Sequence, residues 1–230
     1  MNHRPALIVA LVLALSACGS DEPPNHDITL PPAASSATSG TPATPASVPS
    51  VADMPPPPSG THRFRDVRQG FQIDYPQDMA ASVTFDSRYL ANDAWKAYAP
   101  QDSRGASALM LTLPGSDEVT AGELRIGLSS NKDEIARCDT PPDNADKNSI
   151  GETTLHGTRF TIFHAADAGM NHYLKVHAYR TVHAGYCYAI DLLVTGSNPE
   201  VYDPPRQPPF SQDAAFEQLE KALQGFRFTR

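Results

Sequence analysis

The chain has 230 residues, with 26 Asp+Glu against 18 Lys+Arg (formal net charge -8 at pH 7), 22 prolines, three cysteines and one tryptophan. This acidic balance argues against a nucleic-acid partner, whose binding rests on cations that neutralise phosphates, and against electrostatic attachment to a membrane surface.

The first element is a short apolar run, Ala6 to Leu15, preceded by a single basic residue, Arg4. It spans about ten residues, whereas a membrane-crossing helix needs roughly 20, so residues 1–17 read as a signal peptide. The run ends in Leu15-Ser16-Ala17-Cys18-Gly19, which resembles the bacterial lipobox: an aliphatic residue, two small residues and a cysteine. The resemblance implies cleavage between Ala17 and Cys18 and a covalent lipid (palmitate among its chains) on Cys18. Two or three acyl chains anchor durably, each buried methylene contributing roughly 0.8 kcal/mol. Gly19 stands where many inner-membrane lipoproteins carry aspartate, so the expected address is the outer membrane, with the domain facing the periplasm.

Residues 18–60 read as a disordered tether. Eleven of the 22 prolines fall between Gly19 and Gly60, with many Ala, Ser and Thr and no aromatic residue. Such a stretch cannot bury enough apolar surface to offset its ordering entropy. As flexible coil it spans roughly 40 Å, and as polyproline II about 100 Å or more.

Residues 61–230 regain aromatic and β-branched residues and are long enough for one core. Phe71-Gln72-Ile73-Asp74-Tyr75 alternates with period two and predicts a half-buried strand ended by Pro76. Further strands are expected at Val83 to Asp86, Ala108 to Leu113 and Glu123 to Ser129. A short helix follows, Lys132 to Arg137, capped by Asn131.

Two hairpins come next. Thr153 to Leu155 and Arg159 to Ala165 flank His156-Gly157, while His172 to His183 and Tyr186 to Thr195 flank Ala184-Gly185. A two-residue turn at Ala184-Gly185 pairs Val182 with Cys187, Val176 with Leu193 and Leu174 with Thr195. The opposite face then carries Tyr173, Tyr179, Tyr186, Tyr188, Ile190 and Leu192, so both faces need a cover. One cover is the last helix, capped by Ser211, with Phe216, Leu219 and Leu223 on one stripe and Gly225 as its stop. Phe226 and Phe228 follow as a short strand or tail. The predicted fold class is α+β, an antiparallel sheet with packed helices.

With Cys18 taken by the lipid, Cys138 and Cys187 remain as an even pair, and an oxidising periplasm makes a disulfide of them. A redox or metal pair would call for a C-x-x-C spacing or nearby ligands.

The segment Phe71 to Phe228 resembles bacterial lipoproteins predicted to be secreted. The phrases that carry the likeness include Glu123-Leu124-Arg125-Ile126-Gly127, His172-Tyr173-Leu174, Tyr179-Arg180-Thr181-Val182-His183, Gly185-Tyr186-Cys187-Tyr188-Ala189-Ile190-Asp191 and Asn198-Pro199-Glu200-Val201-Tyr202-Asp203-Pro204-Pro205. The resemblance implies no catalytic residue. The order of elements is also similar to that of PsbP, an extrinsic protein of photosystem II, and its relatives, which implies a non-enzymatic binding or assembly module.

The sequence contains no G-x-S-x-G elbow, H-E-x-x-H, glycine-rich phosphate loop or EF-hand pattern. His172, His177 and His183 share one strand, but His172 faces away from the other two. His177 and His183 stand six residues, roughly 20 Å, apart. They read as structural, with no metal expected and no cofactor beyond the lipid on Cys18. Asp191, in an apolar strand, reads as the ion-pair partner of Arg180 ahead of a raised-pKa general acid. Tyr202-Asp203-Pro204-Pro205 reads as a stiff loop crossing a sheet edge, with docking of a protein partner as the alternative.

Three functions follow. A tethered interaction module that binds, inhibits or assembles an envelope protein leads, which leans away from an enzyme. A lipid or small-molecule carrier requires a contiguous apolar cavity in the sheet-helix layer. An envelope hydrolase requires Asp191 or a strand histidine to converge with a hydroxyl or second carboxylate in a cleft.

Overall fold

The structure, a computed structural model, describes residues 56–229. The signal peptide, Cys18 and the tether as far as residue 55 lie outside the described residues. The strands are β1 (Thr61–Asp66), β2 (Phe71–Pro76), β3 (Ala80–Ser82), β4 (Ala106–Thr112), β5 (Thr120–Ser129), β6 (Gly151–Leu155), β7 (Thr158–Gly169), β8 (His172–His183), β9 (Tyr186–Ser197) and β10 (Phe226–Phe228). Helix α1 (Lys132–Ala136) follows β5, and α2 (Gln212–Leu223) follows β9. The strands form a seven-stranded sheet, in the order β3-β4-β5-β9-β8-β7-β6, and a three-stranded sheet, β1-β2-β10. All pairings are antiparallel, and the fold class is α+β.

Local chemistry sets the joints. In both predicted hairpins the two turn residues lie in the left-handed region: His156 and Gly157 at φ 46° and 83°, Ala184 and Gly185 at 47° and 81°. That turn matches the twist of the strands it joins. It fixes Val182 opposite Cys187, Val176 opposite Leu193 and Leu174 opposite Thr195. Asn131 caps α1 by accepting the Asp133 and Glu134 N–H groups, and the Ser211 hydroxyl caps α2 by accepting that of Ala214.

Period-two alternation then sorts the seven-stranded sheet into two covered faces. The inner face brings Leu124, Ile126, Phe160, Tyr188, Ile190 and Leu192 against Phe71 and Ile73 of β2, Phe226 of β10 and the Phe216, Leu219 and Leu223 stripe of α2. Aromatic rings fill this layer, Phe226 lying 5.7 Å from Phe71 and 6.2 Å from Phe160. The outer face carries Phe163, Leu174, Val176, Ala178 and Leu193, covered by Ala91 and its neighbours. Cys138 joins Cys187 across a Cα separation of 5.5 Å, which ties the end of α1 to β9. The chain-entropy model assigns closure of this 49-residue separation about 4 kcal/mol.

Two expectations change. The strand placed at Val83 to Asp86 is instead β3, which ends at Ser82, and Val83 is 61% exposed. The Ser82 hydroxyl accepts the Thr84 N–H at 3.1 Å, so the side chain offers the backbone a turn in place of a ladder bond. The strand β2 is covered on both faces, not half-buried: Phe71, Gln72 and Ile73 are all buried. Its Asp74 takes Arg63 of β1 and Arg227 of β10, each with an Nη2 contact at 3.0 Å, so three strands share one half-buried charge.

Candidate functional site

On the outer face, ionisable residues stand on three adjacent strands. Glu123 and Arg125 are on β5, Asp191 is opposite Arg125 on β9, and Arg180 is on β8 two residues beyond Ala178, which faces Asp191. All four side chains are buried. Arg180 Nη2 lies 2.8 Å from Asp191 Oδ1, and Arg125 and Arg88 both pair with Glu123 at 2.7 Å.

These charges hold down an irregular segment that runs from residue 83 to 105. Arg125 donates to the Asp86 and Asn92 carbonyls at 2.7 and 2.6 Å, and Asp191 Oδ2 accepts the Ala97 N–H at 2.8 Å. Buried backbone groups that lack a ladder require such partners. At Gly127 of β5 a Cβ would collide with the Trp95 carbonyl oxygen, so glycine admits the segment directly onto the strand. The geometry gives Asp191 the ion-pair role with Arg180.

Beside the segment lies a hollow of about 490 Å³. Residues 96–100, the end of α1 and residues 140–144 wall it, and Phe163 and Arg180 of the sheet line it. This size falls within the range of small-ligand pockets. Lys96 Nζ donates to Glu134 Oε2 at 2.7 Å, and Arg137 approaches the other oxygen at 3.6 Å. Burial pushes the Glu134 carboxyl up, but hydrogen bonds from Lys96 and Ser103, with the charge of Arg137, outweigh it and hold the pKa below the usual carboxylate value. The Arg180 guanidinium lies 5.3 Å from the Phe163 ring centre. Tyr98 adopts φ 57°, a conformation rare for a bulky residue and found where surrounding structure enforces it. Burial raises its hydroxyl pKa to about 12, so it remains a proton donor across the physiological range.

The histidines occupy three separate places. His172 stacks on Tyr89 at 4.3 Å, and His183 on Phe228 at 3.8 Å. His177 lies flat between His164 and Phe216, at 3.8 Å from each, with Nδ1 3.3 Å from Glu220 Oε1. Burial first, and the neighbouring His164 second, hold the His177 pKa below its ordinary value. Among the described residues no group of three His, Cys, Asp or Glu side chains is placed to hold a metal ion. Arg206 bonds Asp117 and Glu118 at 2.8 and 2.9 Å and covers the Tyr202 ring, which pins the proline loop across the β4–β5 turn. Among the described residues no helix is long and apolar enough to cross a membrane.

The sequence reading reached Asp191, Arg180 and both cysteines but missed Lys96, Tyr98 and Asn144, which sit on segments without periodicity, and gave Arg137 only as the end of a short helix. One signal was available: Glu123 and Arg125 alternate with apolar residues, so they mark a polar but covered face of β5.

No family model and no curated protein matches the chain. Among solved structures, a protein of Bacteroides thetaiotaomicron aligns over 74% of this chain at 12% identity with a TM-score of 0.40; the match spans about half of that protein, 49% of its length. Cyanobacterial PsbP from Synechocystis aligns over 74% of this chain and 92% of its own at 9% identity, with a TM-score of 0.41.

Proposed function

We propose that this chain is a bacterial lipoprotein, held at the outer membrane by acyl chains on Cys18, whose periplasmic domain is a binding module for another envelope protein. The observation that carries the binding role is the hollow beside the 83–105 segment. It combines an apolar wall with side chains from four separate parts of the chain, and it lies on the face of the sheet opposite the filled aromatic layer. The ionisable residues that a hydrolase would recruit are engaged in holding the fold: Asp191 by Arg180 and the Ala97 amide, and Glu123 by two arginines. A carrier needs room between sheet and helix, where Phe71, Phe160 and Phe226 are packed ring against ring.

Site-specific photo-crosslinking in the cell envelope tests the reading. A benzophenone amino acid at Thr140 or Asn144, both lining the hollow, is expected to give one discrete protein adduct. The same probe at Glu217, on the exposed side of α2, is expected to give none. Equal labelling from both places, or none from the hollow, overturns the proposal.

A further inference from the structure

The hollow is richer in donors than in acceptors. Six of its lining side chains present N–H or O–H groups: Lys96, Tyr98, Arg137, Thr140, Asn144 and Arg180. Arg180 is nine-tenths buried or more, yet the Tyr179 and Ile190 carbonyls at Nη1 and Asp191 at Nη2 engage only part of a guanidinium that has five N–H groups. The Tyr98 hydroxyl is buried without an aligned hydrogen-bond partner, with the Asn144 side chain beside it. Arg137 is 57% exposed, and its contact with Glu134 is long at 3.6 Å. Of the three cations that line the hollow, Lys96 is held by Glu134 and Arg180 by Asp191, which leaves Arg137 the least engaged charge. Between the donors lie Phe163, Pro100, Pro141 and Pro142, all without a donor on the side chain.

Resting on the binding-module reading, we propose that the hollow recognises a carboxylate carried on an apolar group, with the C-terminal residue of a polypeptide as its source. A planar carboxylate takes paired N–H donors from a guanidinium in the way a single ammonium cannot match. The phenol supplies a further donor, and the proline and phenylalanine walls receive the adjoining side chain. A small free acid offers the same chemistry, so the probes must separate the two sources.

Trp95 is the reporter. It is the single tryptophan, 4% exposed, with Lys96 Nζ 4.7 Å from its ring centre, so a ligand that moves Lys96 alters its emission. The full chain in detergent is titrated with acetyl-Ala-Leu-Phe as the free acid, with the same peptide as its carboxamide, and with 3-phenylpropionate. The expected result is saturable binding of the free-acid peptide, with the carboxamide at least about ten-fold weaker, the size of one lost charge-assisted hydrogen bond. Arg137→Gln is expected to weaken the free acid several-fold and leave the carboxamide unchanged. Arg180→Lys does the same more strongly where it folds, and Arg137→Gln decides the matter where it does not. Binding of 3-phenylpropionate with the peptide silent overturns the polypeptide source. Equal binding of acid and carboxamide, or of neither with the hollow crosslinks intact, overturns the carboxylate inference and leaves the binding module standing; loss of the crosslinks as well overturns both.

Discussion

Asp191 is a carboxylate with 1% exposure in the middle of an apolar strand, and it is tolerated because a cation pairs with one of its oxygens and an amide donates to the other. Arg180 supplies charge from the neighbouring strand, and the Ala97 amide supplies a neutral hydrogen bond from the covering segment. Removing one member of such a pair is costlier than replacing both, since the survivor keeps its desolvation penalty without compensation. Asp191→Asn is therefore expected to lower unfolding stability by about 3 kcal/mol, read from urea denaturation, while the double change Asp191→Leu with Arg180→Met recovers most of the loss. A single variant within about 0.5 kcal/mol of the parent would show that the pair contributes nothing to the fold. Gly127 works by different physics: the strand accepts the Trp95 backbone because no Cβ stands in the way.

At the scale of elements, α2 meets the sheet through a histidine that is held neutral. The His177 ring lies between Phe216 of α2 and His164 of β7, and Lys175, Glu220 and His164 are the charged or titratable groups around it. Its native pKa lies below its unfolded value near 6.5, so the unfolded state takes up the proton first. The stability it contributes is fully present above about pH 6.5 and declines as pH falls below that value. The melting temperature is expected to drop by a few degrees between pH 7 and pH 5.5, and His177→Phe to flatten that slope while keeping the stack on Phe216. An unchanged slope in the variant would assign the pH dependence to other groups.

The hairpins, both capped helices and the disulfide were legible because each rests on local rules: a left-handed residue at a tight turn, a side-chain acceptor at a helix start, an even pair of thiols. The exact pairing of Leu174 with Thr195 followed from the turn alone. Residues 83–105 were not legible, because they are ordered by partners far along the chain. Arg125 reaches Asp86 across 39 positions and Asp191 reaches Ala97 across 94. The hollow inherits that blindness, since most of its wall is built from this segment and from the stretch after α1.

For the whole molecule, the proposed lipid on Cys18 would hold the chain at a membrane, with the proline-rich stretch between that anchor and the domain. A stretch of that length, extending roughly 40 Å as coil and about 100 Å as polyproline II, would raise the effective concentration of a partner in the same membrane without adding a contact. Cys18→Ser is expected to abolish metabolic labelling by palmitate and to release the chain from the membrane fraction. A variant that stays with the membrane, with neither form labelled, would overturn the anchor.

The irregular cover of the outer face also bears on how the protein behaves when it breathes. A segment fastened by side chains and few backbone ladders opens at lower free energy than the strands beneath it, so its amides should exchange with solvent before those of β5 and β9. Most sheets uncovered in this way present a flat apolar surface that sticks to other copies. Here the uncovered face would show Glu123, Arg125, Arg180 and Asp191, charges of both signs on three strands, beside the apolar patch of Phe163, Leu174, Val176 and Leu193. The charges break up the apolar surface that the partly opened form offers to other copies.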